Sequence, residues 1–204
     1  MHIWNQPGRP VVLASRSPRR SQILSLMGFT FTTIVPDEID EASYIDAQDL
    51  SGSLCRLAAE KTRSVSLGNP AALVLGADTI VVKGERVMGK PGSRYAAEEM
   101  LSELSDSRHT VMTGLALRCG ERSFVTTAAA STDVFFRKVS AGEIGAYLDT
   151  GEYRDKAGAY AIQGRAMIFV ESISGCYYNV VGLPVSHTIG VFTEFLNTSG
   201  AVNE

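Results

Sequence analysis

The stretch Val11-Val12-Leu13-Ala14-Ser15-Arg16-Ser17-Pro18-Arg19-Arg20 constrains this chain more than any other. Its four leading apolar residues read as a short buried strand. Ser17 is a residue type favoured at a helix N-cap. Pro18 brings a fixed φ and a missing N–H that suit the first helical position. Ile23, Leu24 and Met27 then supply one apolar helical face, and Gly28 stands where a C-terminal cap belongs. The reading is a strand, a sharp turn and a helix. A helix N-terminus carries unsatisfied N–H groups and partial positive charge, so Arg16, Arg19 and Arg20 around that end are unfavourable for the helix itself. A bound anion such as a phosphate would offset that cost; a basic surface turn is the bland alternative.

The rest of the chain alternates strand-like and helix-like segments. Residues 30–35 read as a strand ended by Pro36, followed by an acidic cluster of Asp37, Glu38, Asp40 and Glu41. Leu50, Leu54, Leu57, Ala58, Lys61 and Val65 have helical spacing, with a basic residue on or beside the apolar stripe. Residues 73–75 form a buried strand that runs through Gly76-Ala77-Asp78-Thr79 into Ile80-Val81-Val82, and Lys83-Gly84-Glu85 reads as a hairpin turn. Ser93 should cap a helix with Ala97, Met100, Leu101 and Leu104 inward. Strands are expected over 109–118, 124–129, 132–139 and 167–170. Ser140 and Glu143 form a capping box ahead of Ile144, Tyr147 and Leu148, and Gly151 closes that helix. Pro184 should open a last helix with Val185, Ile189, Phe192 and Leu196 inward. The class is α/β with an extended mixed sheet in the middle.

At 204 residues the chain suits one domain, with loose ends at 1–10 and 198–204, and leaves room for two lobes around a cleft. A net charge of −3 gives no global basic field for a nucleic-acid polymer, so anion binding must be local. Cys55, Cys119 and Cys176 are odd in number and far apart, without metal or disulfide spacing, which fits a reducing compartment. No apolar run reaches membrane-spanning length, and the N-terminal residues lack the apolar core of a signal peptide. A cytoplasmic location is expected.

Four loops gather charge beside glycine or proline. Asp78 sits between apolar strand segments, where a carboxylate needs a partner or a cation; it is either a turn carboxylate bonded to backbone or a catalytic or metal-binding group. Glu41 and its neighbours are either a solvated acidic loop or a second carboxylate site. Lys90 in Gly89-Lys90-Pro91 is a surface lysine or a held cation. Asp155-Lys156-Ala157-Gly158 with Gln163-Gly164 is a structural loop or a substrate loop. His2, His109 and His187 stand apart from any nucleophile and read as structural or surface residues. Cations for phosphate oxygens, with carboxylates for a divalent metal and a water, suit metal-assisted hydrolysis of a phosphate ester or anhydride.

These motifs, in this order from Val11 to Leu196, resemble the Maf family of nucleoside triphosphate pyrophosphatases. The resemblance is carried by Leu13 to Arg20, Asp40-Glu41, Ala59-Glu60-Lys61, Gly76-Ala77-Asp78-Thr79 and Gly89-Lys90-Pro91, then by residues 155–164 and Val181-Gly182-Leu183-Pro184. It implies an elongated, twisted mixed central sheet with two lobes around a nucleotide cleft, and cleavage of a nucleoside triphosphate to monophosphate plus pyrophosphate with Mg²⁺ or Mn²⁺. It makes Asp78 the acceptor of the water proton, with Glu41 a second catalytic carboxylate. Both would hold the metal, and Lys90 completes the catalytic set. Ser15, Arg19, Arg20, Lys61, Thr79, Asp155, Lys156 and Gln163 would bind substrate; Arg20, Lys61 and Lys90 are its phosphate-side cations. Arg19, Thr79 and Gln163 fall on positions that separate the dTTP/UTP branch from the branch preferring 7-methyl-GTP. Arg16 departs from the small residue frequent in the family and adds a charge near the phosphates. The resemblance also makes a homodimer plausible. The rival readings are a housecleaning pyrophosphatase for modified nucleotides and a non-catalytic nucleotide-binding regulator of septum formation.

Overall fold

In the computed structural model, which describes residues 8–200, strand β1 (Val11–Ala14) is buried along its whole length. It runs parallel to β2 (Thr32–Ile34) on one side and to β3 (Leu73–Lys83) on the other, with Val12 opposite Thr32 and Val74. Parallel neighbours need crossover connections. Helices α1 (Pro18–Leu26) and α2 (Leu50–Gly68) supply them. Pro18 takes the first helical position as expected, but Ser17 makes no side-chain cap. Instead the Ser17 N–H donates to Ser15 Oγ at 3.0 Å. The turn is thereby closed one step earlier than a capping serine would close it. Gly28 follows α1 with φ +82°.

The sheet has seven strands in the order β2-β1-β3-β5-β6-β7, with β4 (Arg86–Met88) paired antiparallel to β3 across the expected hairpin. β5 is Ser107–Cys119 and β6 is Phe124–Phe136, one strand where the sequence suggested two; Ala129-Ala130-Ser131 contains no residue able to break it. The strand expected at 167–170 is a 3-10 turn, Arg165–Phe169, leading into β7 (Val170–Ser174). Ala166 and Phe169 are buried while Met167 and Ile168 are exposed, a period of three rather than two. The last helix, α6 (Val185–Gly200), turns Phe192 inward as expected, but Val185, Ile189 and Leu196 are only half-buried, and Thr188, Val191 and Phe195 complete the buried stripe. Two ring contacts set that rotation, Phe192 on Phe29 at 4.7 Å and Phe195 on Phe124 at 5.2 Å.

Two compact units emerge. One comprises the chain up to Asp78, Thr113–Ala130 and the segment from Gly182 onward; the other comprises Thr79–Met112 and Ser131–Val181. In the first, Arg9 donates to Ala71 O at 2.9 Å and the Leu73 N–H donates to Pro10 O at 2.8 Å, which ties down part of the segment expected to be loose. Residues 1–7, with His2, and residues 201–204 lie outside the described residues. In the second unit, α3 (Arg94–Leu104) is capped by Ser93 and α4 (Ala141–Asp149) by the Ser140/Glu143 box. A short helix, α5 (Tyr177–Val181), was not legible beforehand.

His109 is buried in the second unit and shares a 2.8 Å hydrogen bond with the Tyr160 hydroxyl, its ring edge-on to Phe136. Burial pulls its pKa down from 6.5 to about 4, and the nearby Lys83 adds to the shift. A depressed folded-state value means the unfolded chain takes up the proton first, so the stability His109 contributes is complete above pH 6.5 and is lost as pH falls toward 4. That difference corresponds to about 3 kcal/mol. Denaturant titrations of wild type and His109→Gln across this window should converge as pH falls, with the variant's curve flatter. Parallel curves would mean that His109 is not the source.

Candidate active site

The site begins with a close approach of α2 to β3. A Cβ on Gly76 would lie 2.7 Å from Thr62 Cγ2 and 2.9 Å from Ala58 O, so only glycine lets the helix settle on the strand here. Asp78 is two residues further along β3 and shares Gly76's face. Lys61 lies on the same stripe of α2 as Leu57 and Ala58, one turn on. The packing therefore delivers the ammonium to the carboxylate. Lys61 Nζ donates to Asp78 Oδ1 in a short contact and to Glu41 Oε1 at 2.7 Å. Glu41 opens a 3-10 turn, Glu41–Tyr44, packed against α2. Asp78 is only 8% exposed. Two carboxylates and one ammonium thus converge, with a net charge of −1. Of the acidic cluster, Glu41 alone is drawn in this way; Asp37, Glu38 and Asp40 are exposed. Sequence reasoning missed Arg118, whose guanidinium braces this part of α2 through Thr62 Oγ1 at 3.2 Å and Ala59 O at 3.4 Å. Its only prior signal was a charge near the end of a buried strand.

The arginines of the first turn separate. Arg20 donates from Nε to Gly182 O and from Nη1 to Ala77 O, each at 2.8 Å, and its Nη1 lies 3.5 Å from Ser15 Oγ. Ala77 directly precedes Asp78, so this guanidinium fixes the backbone that carries the carboxylate. Burial lowers the Arg20 pKa, and the charge of Asp78 opposes the shift. Ser15 is buried and its hydroxyl accepts the Ser17 N–H, which makes it a turn-forming residue as well as a candidate ligand. Arg16, expected beside the phosphates, instead points to Glu38 at 3.4 Å in an exposed pair. Such pairs contribute little. Arg19 remains half-buried on α1 next to Arg20.

Thr79, Lys90, Asp155, Lys156 and Gln163 belong to the second unit. Within it the Gly158 N–H donates to Gly89 O at 3.1 Å, bringing the Lys90 loop against the 155–164 loop. That loop is conformationally demanding. Asp155, Gly158 and Ala159 have φ of +57°, +65° and +62°. Ala159 is a fully buried non-glycine residue in the left-handed region, a strain that concentrates at functional loops. Lys90 and Gln163 are exposed, and Thr79 and Lys156 are half-buried.

Among the described residues no three His, Cys, Asp or Glu side chains gather in a metal cage. The two carboxylates that share Lys61, Asp78 and Glu41, offer oxygen donors only. Two carboxylate oxygens without nitrogen or sulfur suit Mg²⁺ or Mn²⁺, hard ions that take only one or two carboxylates from the protein and complete their shell with water and phosphate oxygens. The donor set fits a metal that arrives with a triphosphate.

The chain as a whole has known relatives. Residues 10–195 match the family model described as Maf-like protein. The chain is 48% identical to the dTTP/UTP pyrophosphatase of Symbiobacterium thermophilum over 91% of its own length and 93% of that protein. It is 45% identical to the dTTP/UTP pyrophosphatase of Desulforamulus reducens over 87% and 92% of the two chains. The dTTP/UTP pyrophosphatase of Moorella thermoacetica is 48% identical over 86% and 89%.

Proposed function

Because the chain belongs to the Maf family, we propose that it is a nucleoside triphosphate pyrophosphatase that converts dTTP and UTP to the monophosphate and pyrophosphate. The observation that carries this reading is the convergence of Asp78 and Glu41 on Lys61. A non-catalytic nucleotide binder has use for the arginines but none for a buried Asp78 joined through Lys61 to a second, half-buried carboxylate. In this reading Asp78, held by β3, orients a water in line with the α-phosphorus and takes its proton. Glu41 sits across Lys61 from it, and the ammonium passes from the carboxylates to the phosphate oxygens when a triphosphate enters. A divalent cation held by Asp78 and Glu41 would supply charge neutralisation on those oxygens. Lys90 stabilises the leaving pyrophosphate, where fixed cations offset developing negative charge. Ser15, Asp155 and Lys156 complete the substrate contacts, and Arg19, Thr79 and Gln163 read the base. The same reading puts the protein in the cytoplasm, in keeping with its free cysteines, and leaves room for a homodimer. Among the described residues no helix is long and apolar enough to cross a membrane.

The test is a panel of dTTP, UTP, CTP, GTP and 7-methyl-GTP with Mg²⁺ or Mn²⁺. Pyrophosphate and monophosphate should appear together, fastest from dTTP and UTP, and EDTA should abolish both. Stepwise release of single phosphates would place attack at the γ-phosphorus and end this reading.

A further inference from the structure

Glu152 follows directly on Gly151, which ends α4 with φ +72°. Its carboxylate reaches toward the turn that carries Gln163, and Oε2 accepts the Arg165 N–H at 3.0 Å. That turn is otherwise closed on itself, through the Gly164 N–H to Ala161 O and the Met167 N–H to Gly164 O, each at 3.0 Å. The same carboxylate lies against Gly164. Gly164 has φ −108° and ψ −156°, a backbone open to any residue. A Cβ there, however, would lie 2.2 Å from Glu152 Oε1 and 2.4 Å from Oε2. The contact is with the far end of a flexible side chain, so a larger residue at 164 would displace the Glu152 carboxylate rather than the backbone. On the other side of the carboxylate stands Tyr147. Its hydroxyl and Glu152 Oε1 are both buried without a hydrogen-bond partner at ordinary geometry. Burial, then the charge of Glu152, push the Tyr147 phenol above its ordinary range. Glu152 is thus wedged between the body of its unit and the turn bearing Gln163.

We propose that Glu152 is a positioning residue for base selection: its carboxylate, bonded to Arg165 N–H and seated against Gly164, holds Gln163 where it meets the nucleobase. The proposal rests on the reading of Gln163 as a base contact. Glu152 itself touches no substrate and acts through the turn.

The experiment measures amide hydrogen exchange of residues 161–167 in the full-length protein, together with kcat/KM for UTP and GTP. Losing one such bond is worth about three- to tenfold in an equilibrium or rate. Glu152→Ala should speed exchange of the segment and lower the UTP-to-GTP ratio, each by about that factor. Glu152→Gln should stay near wild type in both, because its amide oxygen can accept the same N–H. Gly164→Ala should reproduce the loosened turn by displacing the carboxylate, and adding Glu152→Ala to it should speed exchange little further. If Glu152→Ala does not fold, Glu152→Asp, one methylene short of Arg165, should show the same changes in smaller measure. Exchange and ratio both unmoved in the Glu152 variants would overturn the proposal, as would a uniform loss on both nucleotides with exchange unchanged. Gln163→Glu separates the two ideas. If it leaves the ratio unchanged, the base-reading role of Gln163 falls. If it shifts the ratio while Glu152→Ala does not, only the role of Glu152 falls.

Discussion

Asp78→Asn should leave the fold intact and remove most turnover. The substitution is nearly isosteric, and the amide retains an oxygen that can accept from Lys61 Nζ, the present partner of Asp78 Oδ1. Lys61 also keeps its 2.7 Å bond to Glu41, so the ammonium is not stranded in a buried position. What changes is charge: the three-group cluster goes from −1 to 0, and the anion that can accept a water proton or hold a cation disappears. Loss of a general base alone lowers rates by about 10²–10⁴-fold. The measurement is kcat on UTP and dTTP, beside circular dichroism and a melting curve. A variant that melts like wild type and turns over at more than about a tenth of its rate, well short of that range, would make Asp78 a structural carboxylate paired with Lys61. Metal binding without nucleotide provides a second readout, since Mn²⁺ affinity should fall in the same variant.

Those parts of this arrangement that local pattern controls were legible in the sequence. The β1–α1 turn, the α2 stripe, the β3–β4 hairpin and the Ser140/Glu143 box each depend on residues within about two helical turns of one another. The structure has them where pattern put them. Lys61 could be noticed as a basic residue on or beside the apolar stripe of α2, where an ammonium calls for an anionic partner or a path to water. Which carboxylates was not legible. Glu41 and Asp78 are brought to Lys61 by packing of α2 on β3, and Gly76, the residue that permits it, reads from sequence merely as a position the strand runs through. The same holds for Arg16 and Arg20. They are four residues apart and chemically alike, yet one ends on an exposed Glu38 and the other on buried carbonyls far along the chain. The stripe of α6 was placed only in part: Phe192 was legible, but Phe195 is covered by Phe124, a residue remote in sequence.

Arg20→Ala should damage both stability and catalysis, and the two losses can be separated. Arg20 spans three segments of its unit: α1, from which it projects, Ala77 on β3, and Gly182 before α6. Each charge-assisted bond contributes about 1.5–3 kcal/mol, while removing a buried guanidinium returns part of that as relief from desolvation. The net expectation is a loss of about 2–4 kcal/mol in chemical denaturation. Arg20→Lys should recover only a fraction, because one ammonium cannot serve two carbonyls with the fixed fork of a guanidinium. For catalysis, a shifted Ala77 displaces Asp78, and a lost phosphate cation weakens transition-state binding whatever the base. Activity per folded molecule should therefore fall about ten- to a hundredfold on UTP, dTTP, CTP and GTP alike. Arg19→Ala should behave differently although it is the next residue. Successive helical side chains point about 100° apart, so the two guanidiniums leave α1 in different directions. In Arg19→Ala the ratio of UTP to GTP activity should change. Wild-type stability in Arg20→Ala would mean that the bonds to Ala77 and Gly182 contribute nothing. Lost stability with undiminished kcat/KM in the folded fraction would confine Arg20 to holding the strand and remove it from the phosphate site.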